Sequence, residues 1–133
     1  MVHAVVDTNV LVSAFWTFGS PSHPMRVLRA LVEGKFVALV SDAIVAEYRE
    51  VLSRKKFRFD PEDVQRLIAF LERNALKATP AESGEAFPDP DDKVFFCTAL
   101  AKDGAKVVTG NLKHYPESPI VVTPAEFCEM LGI

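Results

Sequence analysis

Four short apolar runs constrain this chain more than any other feature. They are residues 3–6 (HAVV), 36–40 (FVALV), 106–109 (KVVT) and 120–122 (IVV). Each has the length of a strand. Each is nearly continuous in apolar residues, which is the pattern of a strand buried on both faces. Helical spacing fills the intervals. Residues 23–33 place Met25, Leu28 and Val32 on one side. Residues 42–53 follow Ser41 or Asp42 as N-cap, and residues 61–73 carry Pro61 at the first helical position after Asp60. Residues 91–103 and 124–131 read as two further helices, and the longest loop runs from Thr79 to Asp92. Strands alternating with helices predict the α/β class: a three-layer α/β/α sandwich with a central parallel sheet. The 133 residues are one domain's worth, enough to bury a core without disulfides.

The formal net charge of −3 argues against non-specific adhesion to nucleic acid or membrane. It does not exclude nucleic acid, because a carboxylate site loaded with metal becomes locally positive. No apolar run reaches the roughly 20 residues that span a bilayer. Met1-Val2-His3 leads straight into a strand, so no signal peptide is expected. Cys97 and Cys128 show neither CxxC spacing nor a histidine partner. Both read as buried apolar residues of a cytoplasmic protein.

In a parallel sheet of this kind the chemistry sits at the carboxyl ends of the strands. Asp7 stands there, between the first strand and an apolar run that reads as the helix returning against it. A simple N-cap explains its position equally well. Glu47, three residues after Ile44 and four before Val51, lies at the edge of a face formed by Ile44, Val45, Tyr48, Val51 and Leu52. Its stem could pack and its head stay wet. Asp92 precedes Phe95 by three and Phe96 by four, in line with an apolar face completed by Ala99 and Leu100. A carboxylate aimed at a core needs a partner, because burying it alone costs several kcal/mol. Asp89, followed by Pro90, reads as an N-cap. Acids from three segments that converge repel one another unless a cation joins them. Their hard oxygens suit Mg²⁺ or Mn²⁺, which can acidify water and clamp a phosphate.

The segments VVDTNVLVSA (5–14), LVSDAIVAEYREVL (39–52) and DPDDKVFFCTALAKDGAKVVTGN (89–111) together resemble the PIN-domain family of metal-dependent ribonucleases. The resemblance covers essentially the whole chain. It implies a parallel sheet between helices, an endoribonuclease activity on RNA, and Mg²⁺ or Mn²⁺ as cofactor. By position it makes Asp7, Glu47 and Asp92 the catalytic metal ligands. Asn9 would orient Asp7, Thr8 and Thr109 would support the network, and Asp89 would be an additional acid among the metal ligands. The DPDD subgroup resembles toxins of toxin–antitoxin pairs. An antitoxin protein and a homodimer or higher homo-oligomer are the implied partners. Many members carry an acid where this chain has Asn111. Asn111 can still ligate a cation but carries no charge, so one well-held ion and a weaker second are expected.

Two basic segments are candidate RNA contacts. Lys113 and His114 follow Asn111, where a solvated turn is the plainer account. Arg54, Lys55, Lys56 and Arg58 alternate with Phe57 and Phe59. Cations with neighbouring aromatics suit single-stranded RNA, and equally a helix end with phenylalanines tucked beneath it. Trp16 and Phe18 read as partner contacts or as core. Two rival functions compete. An aspartyl-phosphate enzyme or receiver would want an acid two residues after Asp7, where Asn9 stands. A PIN-like domain that binds RNA or a partner without cutting is supported by Asn111 alone.

Overall fold

A computed structural model describes residues 1–133. Its centre is β1 (His3–Val6), flanked by β2 (Val37–Val40) and β4 (Lys106–Val108). β3 (Leu76–Lys77) and β5 (Val121–Val122) form the edges, giving the order β3-β2-β1-β4-β5. All pairings are parallel, and Ala4 sits opposite both Ala38 and Lys106. Ala4, Val5 and Val6 are buried, as a strand covered on both faces requires.

Six helices connect and cover the strands: α1 (Thr8–Trp16), α2 (His23–Val32), α3 (Asp42–Leu52), α4 (Pro61–Asn74), α5 (Pro90–Leu100) and α6 (Pro124–Leu131). The chain moves from β1 to β3 in one direction across the sheet, then crosses back to β4 and β5. Right-handed crossovers in opposite directions put their helices on opposite faces, which yields the expected three layers. α2 packs on α1 and α6, while α5 covers β1, β2 and β4. The largest buried side chains are Tyr48, Phe95, Phe96 and Phe127. Cys97 and Cys128 are buried free thiols, as expected. No helix is long and apolar enough to cross a membrane.

Most helices begin where the sequence predicts because a side chain caps them. Ser41 accepts from the Ile44 amide and Asp60 from the Glu62 amide, with Pro61 next. Three details differ from expectation. α5 stops at Leu100 rather than residue 103, and Gly104 takes a left-handed φ of 79° in the turn that follows. Leu100 is therefore in the last turn and 41% exposed instead of completing the apolar face. β3 has no strand signature, since both its residues are exposed; it is defined only by pairing with β2.

Candidate functional site

The order of chain entry into the sheet reverses at β1 and β4, and the carboxyl ends of those two strands open a crevice there. Asp7 ends β1 and its amide donates to the Val108 carbonyl, continuing the ladder. Its backbone is that of an N-cap for α1, yet its side chain makes no cap bond. The carboxylate turns inward, where Oδ2 accepts hydrogen bonds from Thr109 at 3.0 Å and Tyr115 at 2.8 Å. Asp7 is only 5% exposed, so two hydroxyl donors offset part of its desolvation.

Thr109 organises this corner. Its hydroxyl also accepts from the Asn111 amide at 3.0 Å and from the Asn9 side chain at 3.4 Å. Asn9 in turn accepts from the Gly110 amide at 3.1 Å. Asn9 thus bears on Asp7 through Thr109 rather than by direct contact. Thr8 serves a different acid: its hydroxyl donates to Glu47, joining α1 to α3.

Glu47 is half-buried on α3, at the face edge the sequence predicts. Burial raises its pKa; the bond from Thr8 opposes this, and the charges of Asp7, Asp91 and Asp89 add to the rise. Asp92 lies in the first turn of α5 with its side chain 16% exposed. Its carboxyl is pushed up to about 6, mainly by burial, then by the charges of Asp7 and Asp89, with His114 opposing. Asp92 Oδ2 is buried without a hydrogen-bond partner. The His114 ring comes within 3.2 Å of it, close enough to attract when protonated, without hydrogen-bond alignment. Asp89 caps α5 by accepting from the Asp91 amide at 2.9 Å, which leaves one of its oxygens uncommitted. The Asn111 side chain turns to His114, 3.2 Å from Nε2. Lys113 is exposed.

Asp7, Glu47 and Asp92 therefore come from β1, α3 and α5 into mutual electrostatic range. No group of three or more His, Cys, Asp or Glu side chains is arranged to hold a metal ion. Hydrated Mg²⁺ does not need one, because it commonly keeps several waters and takes only one or two carboxylates. A buried carboxylate oxygen without a hydrogen-bond donor, within electrostatic range of two other acids, is what such an ion would satisfy. The residues fit Mg²⁺ or Mn²⁺ on that chemistry.

Two functional side chains escape sequence reasoning. Tyr115 holds Asp7, and Tyr48 donates to the Val6 carbonyl immediately before it. Both hydroxyls are held well above their usual range, first by burial and then by the Asp7 charge. The available signal is that a buried tyrosine requires an acceptor. Nothing local says which acceptor. Arg54, Lys55, Lys56 and Arg58 lie beyond the end of α3, where Arg54 still feels the Glu47 charge.

A model of the family described as PIN domain matches residues 3–113. No curated protein sequence matches the chain. Among solved structures, one match is a chain of VapBC2 from Rickettsia felis, crystallised bound to a DNA fragment from their promoter. The TM-score is 0.56 at 20% identity, and the match covers 92% of this chain and 97% of that one. At this identity the likeness is one of fold.

Proposed function

The chain belongs to the PIN-domain family, and from that premise we propose that it is a divalent-metal-dependent endoribonuclease and the toxin of a toxin–antitoxin pair. The observation that carries the nuclease reading is Asp92 Oδ2, buried without a hydrogen-bond donor in a carboxylate that feels the charges of Asp7 and Glu47. A single cation would serve all three acids, whereas the chain's own donors serve them separately: Thr109 and Tyr115 at Asp7, Thr8 at Glu47, and a protonated His114 at Asp92. Bound there, Mg²⁺ or Mn²⁺ would supply an acidified water and positive charge for a phosphodiester.

The protein's own part is placement. Thr109 and Tyr115 lock one Asp7 oxygen and leave the other for ligation. Thr8 sets Glu47 in the same manner. Lys113 and His114, on the turn after β4, would meet a backbone phosphate, a reading supported by the closeness of His114 to Asp92. Asp89 adds negative charge to the site while capping α5.

The antitoxin reading draws support from the fold likeness to a VapBC2 chain and from an apolar groove of about 470 Å³. Phe18, Met25, Leu28, Leu67 and Phe70 line it between α2 and α4. A groove of this kind suits an amphipathic helix from a second protein.

The deciding experiment is cleavage of single-stranded RNA by the purified protein in Mn²⁺. Cutting is expected to stop in EDTA and in Asp7→Asn and Asp92→Asn prepared identically. Full cutting by both variants would refute the assignment and point to a contaminating nuclease. Expression of the chain alone should slow host growth, and Asp7→Asn should not.

A further inference from the structure

α1 and α3 both begin at the carboxyl edge of the sheet, pack on one another and run away from the acids. Residues at i, i+3, i+4 and i+7 share one helix face. On α1 these are Asn9, Val12, Ser13 and Trp16, none of them buried. On α3 and just past its end they are Glu47, Glu50, Val51 and Arg54, again none of them buried. Two open stripes thus lead from the acidic site to a common end, about 12 Å away along α1.

The chemistry changes sign there. Lys55, Lys56 and Arg58 are exposed, and none of them pairs with an acid, although the chain as a whole carries −3. Arg54 is the exception, held by Glu50 at 3.1 and 2.9 Å. Phe57 and Phe59 stack with centroids 5.2 Å apart and planes 7° from parallel. Trp16 stands nearly perpendicular to both, at 6.2 and 5.9 Å, and is 61% exposed. The Lys56 ammonium lies 5.1 Å from the Phe57 ring centroid. Arg58, between the two phenylalanines, is the only non-glycine residue with a positive φ, 56°.

An exposed indole among unpaired cations suits a single-stranded polynucleotide. Stacking accepts any base, and the cations meet the phosphates. Continuity with the acids favours RNA over a protein occupant, because one strand can lie on the stripe and reach both ends. We propose that Trp16, Phe57 and Phe59, with Lys55, Lys56 and Arg58, form a base-stacking subsite for single-stranded RNA that holds the strand a few nucleotides from the acids. The subsite rests on the ribonuclease reading, and its test separates the two.

Trp16 is the only tryptophan, so indole fluorescence, excited at the red edge where the two tyrosines do not absorb, reports on the subsite alone. A short mixed-sequence single-stranded RNA, added to the purified protein in EDTA so that nothing is cut, is expected to quench it saturably. Trp16→Ala should weaken anisotropy-measured binding of the labelled RNA about tenfold or more. Lys55→Ala with Lys56→Ala should lower the slope of log affinity against log salt by about 1.4. Both variants should melt within a few degrees of the parent, since these side chains are largely solvent-facing. Unchanged fluorescence with RNA, the result for a face reserved for a protein, overturns the subsite, as does unchanged affinity in Trp16→Ala. Metal-dependent cutting without quenching removes the subsite and leaves the nuclease. Quenching without metal-dependent cutting does the reverse.

Discussion

Three helices of this protein follow an aspartate, and while Asp60 and Asp89 cap theirs, Asp7 does not. Asp89 precedes α5 and caps it, accepting from the Asp91 amide at 2.9 Å. Asp7 precedes α1 with an extended backbone of φ −63° and ψ 144°, the conformation of an N-cap, and caps nothing. Thr109 and Tyr115, more than a hundred positions away in the chain, draw its carboxylate into the crevice. α1 thereby forgoes a cap worth about 1 kcal/mol. A helix start on an exposed loop uses its aspartate for stability; a helix start at the reversal point of the sheet gives the same residue to a site. Asp92, in the first turn of α5, completes the contrast: it is less buried than Asp7, but one of its carboxylate oxygens is buried without a hydrogen-bond donor.

The comparison breaks most visibly at Asp7. Asp7→Asn keeps the volume and should cost cleavage about a hundredfold or more, since even residues that only position a ligand cost ten- to a hundredfold. Thermal denaturation should show a much smaller change, because no helix cap is lost. Equal cleavage in parent and variant would make Asp7 a mere strand-end residue.

Asp92 should behave in the opposite sense on stability. Its folded pKa, about 6, lies above the unfolded value. Above pH 6 both states are ionised and the folded state bears the penalty. As pH falls from about 6 to about 4 the folded carboxyl takes its proton first, so this group's penalty is relieved. Metal-free Asp92→Asn should therefore be more stable than the parent at pH 7, by about 1–3 kcal/mol, with the gap closing toward pH 4. Apparent Mn²⁺ affinity of the parent should fall below pH 6, since the ion and the proton compete for the same carboxylate. A flat affinity from pH 7 to pH 5 would remove Asp92 from the ligand set.

Tyr115→Phe sharpens the comparison by freeing the Asp7 carboxylate from one donor. Mn²⁺ affinity, measured by calorimetry, should drop about tenfold, and stability by about 1 kcal/mol. Asn111→Asp should tighten only the weaker of two Mn²⁺ ions; two equally tight ions in the unaltered protein would contradict that. Asp89→Ala should have the smallest effect on chemistry. It should lose about 1 kcal/mol of stability while cleavage stays within a few-fold of the parent. A collapse of cleavage would place Asp89 among the ligands and erase its difference from Asp7.

Period and punctuation in the sequence determine much of this molecule. Four apolar runs locate the major strands, and Asp60-Pro61 and Asp89-Pro90 mark the starts of two helices. Spacing alone puts Glu47 at a face edge and aims Asp92 inward, because both depend only on helical geometry. Tertiary structure decides the remainder. β3 exists because β2 offers it a partner, not because Leu76 and Lys77 favour strand. Leu100 turns to solvent because α5 ends there. Tyr115, Tyr48 and Thr109 acquire their roles from neighbours distant in the chain. Periodicity records which way a side chain points from its own element, but a hydrogen bond also requires what stands opposite. At Asp7 that is a pair of hydroxyls, Thr109 and Tyr115, supplied by the segment that follows β4.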